Sequence, residues 1–147
     1  MAEILIKGGA TACAQPYEKS YYLVKHLKTF WLHARGICQS YGMEFASLET
    51  KAEADHFLGL CDKNIALFTD DYTHIGAITM VGKTDWYWVN SGKKVDYPIK
   101  WMVGQPDFYA ANEFCLTVRK TPGDFSFNDL NCYGAFESKF ICQKNEL

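Results

Sequence analysis

Gln105, Asp107, Glu113, Asn128 and Asp129 carry the side-chain oxygens best placed to do chemistry in this chain. Two are neutral amides, three are carboxylates, and Pro106 separates the first pair. Hard oxygens of this kind suit a calcium ion, which takes about six to eight oxygen ligands at roughly 2.3–2.6 Å. Three carboxylates against a divalent cation leave such a site slightly negative. Each amide can hold the metal through its oxygen and donate through its nitrogen to a hydroxyl. Phe108 and Tyr109 follow Asp107 directly, so an aromatic face lies beside the donors. Together these residues read as a cation that holds a sugar. Acidic and amide residues near turns also make turns and caps, which is the plainer use of the same side chains. Paired carboxylates can act as acid and base in glycoside hydrolysis. Here Asp107 and Glu113 are expected on the metal and no general-acid carboxyl in an apolar pocket is visible, so no enzyme is expected.

The donors are far apart along the chain, and the elements around them must bring them together. Cys115 and Cys132 stand next to two of the groups, and a disulfide between them would draw the clusters into one place. There are six cysteines, scattered and without a Cys-x-x-Cys pair. That even count reads as disulfides formed in an oxidising, extracellular compartment rather than as a zinc ribbon or redox motif. A length of 147 residues favours one domain. The net charge of −2 offers no basic face for nucleic acid. No apolar run approaches the roughly 18 residues of a membrane-spanning helix. The first ten residues have too short an apolar part and no charged start for a signal peptide, which reads as a mature, secreted chain or one with a recombinant start.

Residues 1–12 read as a tail or a first edge strand, loosened by Gly8-Gly9. Tyr21–Val24 is a strand candidate. Thr29 is expected to open a helix whose apolar stripe is Trp31, Ala34, Cys38 and Tyr41, with Gly42 as its left-handed stop. Phe45–Leu48 makes a short bridge. Thr50 and Glu53 form a capping box, and the helix behind it should bury Ala54, Phe57, Leu58 and Cys61. Beyond residue 64 the helical pattern ends. Strands are expected at 74–78, 86–89, 114–118, 125–130 and 140–143, with a turn at Asn90-Ser91-Gly92. Residues 92–112 form a long stretch of weak pattern, which in a compact domain is usually functional. Helices first and strands afterwards make the class α+β with a mostly antiparallel sheet. The histidines at 26, 33, 56 and 74 lack ligand spacing, and His74 reads as a satisfied core residue. Trp31, Trp86, Trp88 and Trp101 read as core, and Asp70-Asp71 as a solvated turn.

In this order and spacing, several marks resemble a C-type lectin-like domain over residues 13–147. His74-Ile75-Gly76-Ala77 stands where that family has Trp-Ile-Gly-Leu, Trp86-Tyr87-Trp88 fits its next strand, and Phe127-Asn128-Asp129 stands for Trp-Asn-Asp. Gln105-Pro106-Asp107 matches the family's galactose-type motif. The overall style is similar to secreted single-domain arthropod lectins. The resemblance implies disulfides Cys38–Cys142 and Cys115–Cys132. Cys13 and Cys61 lie outside the family's basic set; they are expected to pair with each other, the rival being a bond from Cys13 to a second chain. It also implies one Ca2+ site held by Gln105, Asp107, Glu113, Asn128 and Asp129 (with the Asp129 main-chain carbonyl), a cis Pro106 in the holo form, and vicinal hydroxyls of galactose or N-acetylgalactosamine completing the shell. Tyr109 takes the place of a stacking Trp, although Ala110-Ala111-Asn112 replaces the Gly-rich loop that usually props it. A second family calcium site is expected to be absent, since Thr79, Lys83, Phe108 and Phe114 fall at its acidic positions. The implied partners are galactose-terminated glycans, with a role in innate recognition; the alternative is the same fold binding a protein without sugar coordination.

Overall fold

The computed structural model describes residues 2–8, 18–69, 72–79, 85–106, 113–121, 124–132 and 137–146; for residues 2–8, 18, 113 and 146 this means the backbone alone. The strands are β1 (Ala2–Gly8), β2 (Glu18–Thr29), β3 (Glu44–Phe45), β4 (Tyr72–Thr79), β5 (Trp86–Trp88), β6 (Glu113–Thr121), β7 (Asp124–Asn131) and β8 (Ser138–Glu146). The helices are α1 (Trp31–Ser40) and α2 (Lys51–Lys63), and a single 3-10 turn at Ile65–Leu67 follows α2. The strands form one sheet in the order β1-β2-β8-β4-β6-β7, with β3 added to β8 and β5 to β4. The architecture is the expected α+β class. Residues 2–8 take the edge-strand reading, antiparallel to β2. The β4–β8 contact is parallel, an exception to the otherwise antiparallel strand pairing among the described residues.

Two apolar clusters hold the helices on the sheet. Phe57, Leu60 and Cys61 of α2 pack with Ile75, Leu116, Phe125 and Ile141. Trp31, Ala34 and Cys38 of α1 pack with Phe45, Phe140 and Cys142. Burying a side chain such as Phe57 contributes about 1.5–3 kcal/mol. The Cys38–Cys142 disulfide, spanning 104 residues, pins α1 to β8. On the chain-entropy account a loop of that length stabilises by about 4.7 kcal/mol.

Several local expectations are corrected. Thr29 ends β2 instead of opening α1; the N-cap is Phe30, which has no capping side chain. Tyr41 leaves the buried stripe and stands 40% exposed, its hydroxyl 3.1 Å from His26 Nε2. Gly42 does stop the helix, at φ +74°. Thr50 Oγ1 accepts from the Glu53 amide at 3.1 Å, as a capping box requires. The return bond goes one residue further back, from the Glu49 amide to Glu53 Oε1 at 3.0 Å. Glu53 is also claimed by Lys19, which reaches across from β2 and donates to the Ser47 carbonyl at 2.7 Å.

Cys61 is a free, buried thiol, so the expected Cys13–Cys61 bond is not formed; Cys13 lies outside the described residues. Its place on the core face of α2 explains this, and burial pushes the thiol's pKa up. His74 is buried but only half satisfied. Its Nε2 meets the Thr29 carbonyl at 2.9 Å, while Nδ1 has no partner. Burial lowers its pKa to about 4, against a smaller upward pull from the Thr29 carbonyl. Trp31, Trp86 and Trp88 are core as expected, whereas Trp101 is partly buried. Asp70 and Asp71 lie outside the described residues.

Candidate cation and ligand site

Residues 92–106 of the long weakly patterned stretch are laid down by backbone hydrogen bonds, which explains why side-chain patterning does not reveal their path. The Gly92 amide donates to the Trp88 carbonyl and the Val95 amide to the Trp86 carbonyl, each at 2.8 Å, so the chain folds back over β5. It then runs beside β7. The Phe127 amide donates to the Lys100 carbonyl and the Met102 amide to the Phe127 carbonyl, both at 2.8 Å, and Trp101 bridges Phe127 in parallel register. A turn follows, with Gly104 at φ +85° and the Gln105 amide donating to the Met102 carbonyl at 2.9 Å. The Gln105–Pro106 peptide is cis. Gln105 is thus held three residues past a backbone clamp on Phe127.

Asn128 and Asp129 are the next two residues of β7. They pair with Thr117 and Leu116 of β6, and the Thr117 hydroxyl donates to the Asn128 carbonyl at 3.1 Å. Glu113 begins β6 opposite Asn131, and the Cys115–Cys132 disulfide ties the two strands at that end. Asp129 is fully buried, and Asn128 is 4% exposed. The Asn128 Oδ1 has no hydrogen-bond donor. A buried, unsatisfied acceptor costs about 1–3 kcal/mol, so the oxygen is open to an electropositive partner. A neutral amide oxygen in that state fits the donor chemistry of calcium.

Backbone hydrogen bonds thus hold the Gln105 turn to Phe127, the residue before Asn128, and β6 starts opposite Asn131, two residues past Asp129. Asp107, Tyr109 and the neighbouring Phe108 lie outside the described residues, as does the Glu113 side chain. The clamp residues Lys100 and Met102 had no signal in the sequence, because their backbones act and not their side chains.

The sequence matches the family model "Lectin C-type domain" over residues 27–144. The chain belongs to the C-type lectin domain family. This lectin domain is 26% identical to perlucin of Haliotis laevigata over 129 residues, covering 88% of the chain and 79% of perlucin. It is 28% identical over 145 residues to "C-type lectin galactose-binding isoform" of Pseudechis porphyriacus, covering 92% and 86%. Among solved structures, the carbohydrate-recognition domain of the mouse scavenger receptor C-type lectin superposes with a TM-score of 0.68 at 23% identity, covering 96% and 94%. Herring type II antifreeze protein shares the fold at a TM-score of 0.65 and 23% identity, covering 88% and 91%. C-type lectin domains are non-enzymatic binding proteins that generally bind Ca2+, and membership supports carbohydrate binding in general. Among the described residues, no helix of the domain is long and apolar enough to cross a membrane.

Proposed function

We propose that this C-type lectin domain binds galactose-type carbohydrates through one calcium ion and works as a secreted recognition protein. The observation that carries the reading is the buried, donorless Oδ1 of Asn128, next along β7 from the residue that clamps the Gln105 turn. Gln105, Asp107, Glu113, Asn128 and Asp129 would hold the ion, and Tyr109 would stack on the sugar's C–H face. Bound there, calcium supplies a positive centre for two vicinal hydroxyls. The Gln105 and Asn128 amides orient those hydroxyls by donating to them, and the three carboxylates accept from them. Gln105-Pro106-Asp107 favours galactose, and the name of the Pseudechis relative agrees with that choice. A single site of this kind binds weakly, so biological binding draws on several copies.

A glycan array run with calcium and with excess chelator tests the proposal. Galactose-terminated glycans should bind only with calcium, and binding should fade as pH falls into the carboxylate range, because the ligands must be deprotonated. Binding that survives the chelator would refute the mechanism, and binding to proteins that galactose cannot compete would favour the other use of the fold.

A further inference from the structure

Pro106 has two sides to its surroundings. Along the chain it lies between Gln105 and Asp107 of the proposed sugar site. It also forms one wall of a separate hollow of about 250 Å³, lined by Asp85, Trp86, Val95, Tyr97, Pro98, Ile99, Trp101 and Pro106 itself. Ligand pockets for drug-sized molecules run to about 300–1,000 Å³, so this hollow is the size of one ring. Its floor is apolar, since Trp86 and Val95 are buried. Trp86 and Trp101 lie 5.3 Å apart between ring centroids, tilted by 57°. Trp101 is partly open, fixed by its bridge to Phe127. Tyr97 is fixed by donation of its hydroxyl to the Leu48 carbonyl at 2.6 Å, so the walls are preorganised. The rim is charged: Asp85 Oδ1 lies 3.1 Å from Lys94 Nζ, and both side chains are about half exposed.

An aromatic wall with a lining carboxylate, itself paired to the Lys94 ammonium outside the lining, suits a flat, hydroxylated ring. The C–H face of a pyranose can lie on indole, while Asp85 accepts from its hydroxyls and Lys94 donates to them. A purely apolar guest would leave that rim unused. We propose that this hollow is a second saccharide subsite, which takes the neighbouring sugar ring of a glycan whose terminal residue is held at Gln105-Pro106-Asp107. The inference rests on the carbohydrate reading of the first site and extends it from a monosaccharide to at least a disaccharide.

The test compares methyl galactoside, a galactose-terminated disaccharide and an octyl galactoside by calorimetry in calcium. It uses the full chain, Asp85→Asn and Ile99→Phe, the last of which fills the hollow from its wall. In the unaltered chain the disaccharide should bind about five- to tenfold tighter than methyl galactoside, the scale of one aromatic stack. In both variants that ratio should fall toward one. Because the ratio is taken within each variant, a folding defect that weakens both ligands leaves it unchanged. A ratio near one in the unaltered chain overturns the subsite while leaving the first site standing. An octyl gain equal to the disaccharide gain, insensitive to Asp85→Asn, overturns the saccharide assignment. Absence of calcium-dependent methyl galactoside binding overturns the proposed function, and the subsite with it.

Discussion

Two buried polar groups in this domain are treated in opposite ways. Glu53 on α2 is answered at Oε1, which accepts from both Lys19 and the Glu49 amide, and Lys19 also donates to the Ser47 carbonyl. Asn128 on β7 is buried to a similar degree, yet its Oδ1 meets no donor. The first cluster joins β2, the segment before α2 and α2 itself, so its polarity is spent on structure. The second lies beside a loop turn that also carries Gln105, and its polarity is left over. Burial by itself does not separate these two groups; their hydrogen bonding does, and His74 Nδ1 and Trp88 Nε1 show that the core too holds buried polar atoms without partners.

The sharpest way to break the comparison is Glu53→Ala. It strands the Lys19 ammonium in the core and should cost about 3–5 kcal/mol in urea unfolding, with or without calcium. His74 offers an intermediate case, buried with one nitrogen satisfied and one not. Between its ordinary value of 6.5 and about 4 in the fold, the unfolded chain binds a proton that the folded chain excludes. Stability should therefore fall as pH drops through that window, by about 3 kcal/mol in total, and this group should add no slope outside it. Unfolding curves of the unaltered chain against His74→Phe would isolate the effect, which should vanish in the variant. Asn128→Ala should show the converse of Glu53→Ala. Without calcium its stability should stay within about 1 kcal/mol of the unaltered chain, since the lost oxygen had no partner. At calcium a hundredfold above Kd the unaltered chain should gain about 2.7 kcal/mol, and the variant should gain nothing. Thermal unfolding with and without the metal reads both halves.

Much of the scaffold was legible. The helical spacing of Trp31, Ala34 and Cys38, the Thr50–Glu53 box and the apolar face of α2 are local patterns, and local patterns are what a sequence displays. The two disulfides were carried by the family resemblance and are formed. The misses are long-range. Lys19 meets Glu53 across 34 residues, and nothing near Glu53 announces it. Tyr41 sits one step past the helix, where the turn at Gly42 sends it to His26 instead of the core. The parallel contact of β4 with β8 depends on topology alone. At the candidate site the reading rests on residue type, because calcium chemistry selects hard oxygens, and the structure adds that Asn128 Oδ1 is buried without a donor. What spacing could not show is the clamp of Lys100 and Met102 on Phe127, which any side chains could make.

That clamp has a second effect. β7 ends the strand order, and an end strand offers unpaired amides and carbonyls to any passing chain. At Phe127 both groups are already taken by the crossing segment, so the backbone that leads to the proposed Gln105 site also covers this edge. Residues beyond Met102 can change without disturbing this cover, whereas residues 100–102 supply the backbone groups that close the margin at Phe127.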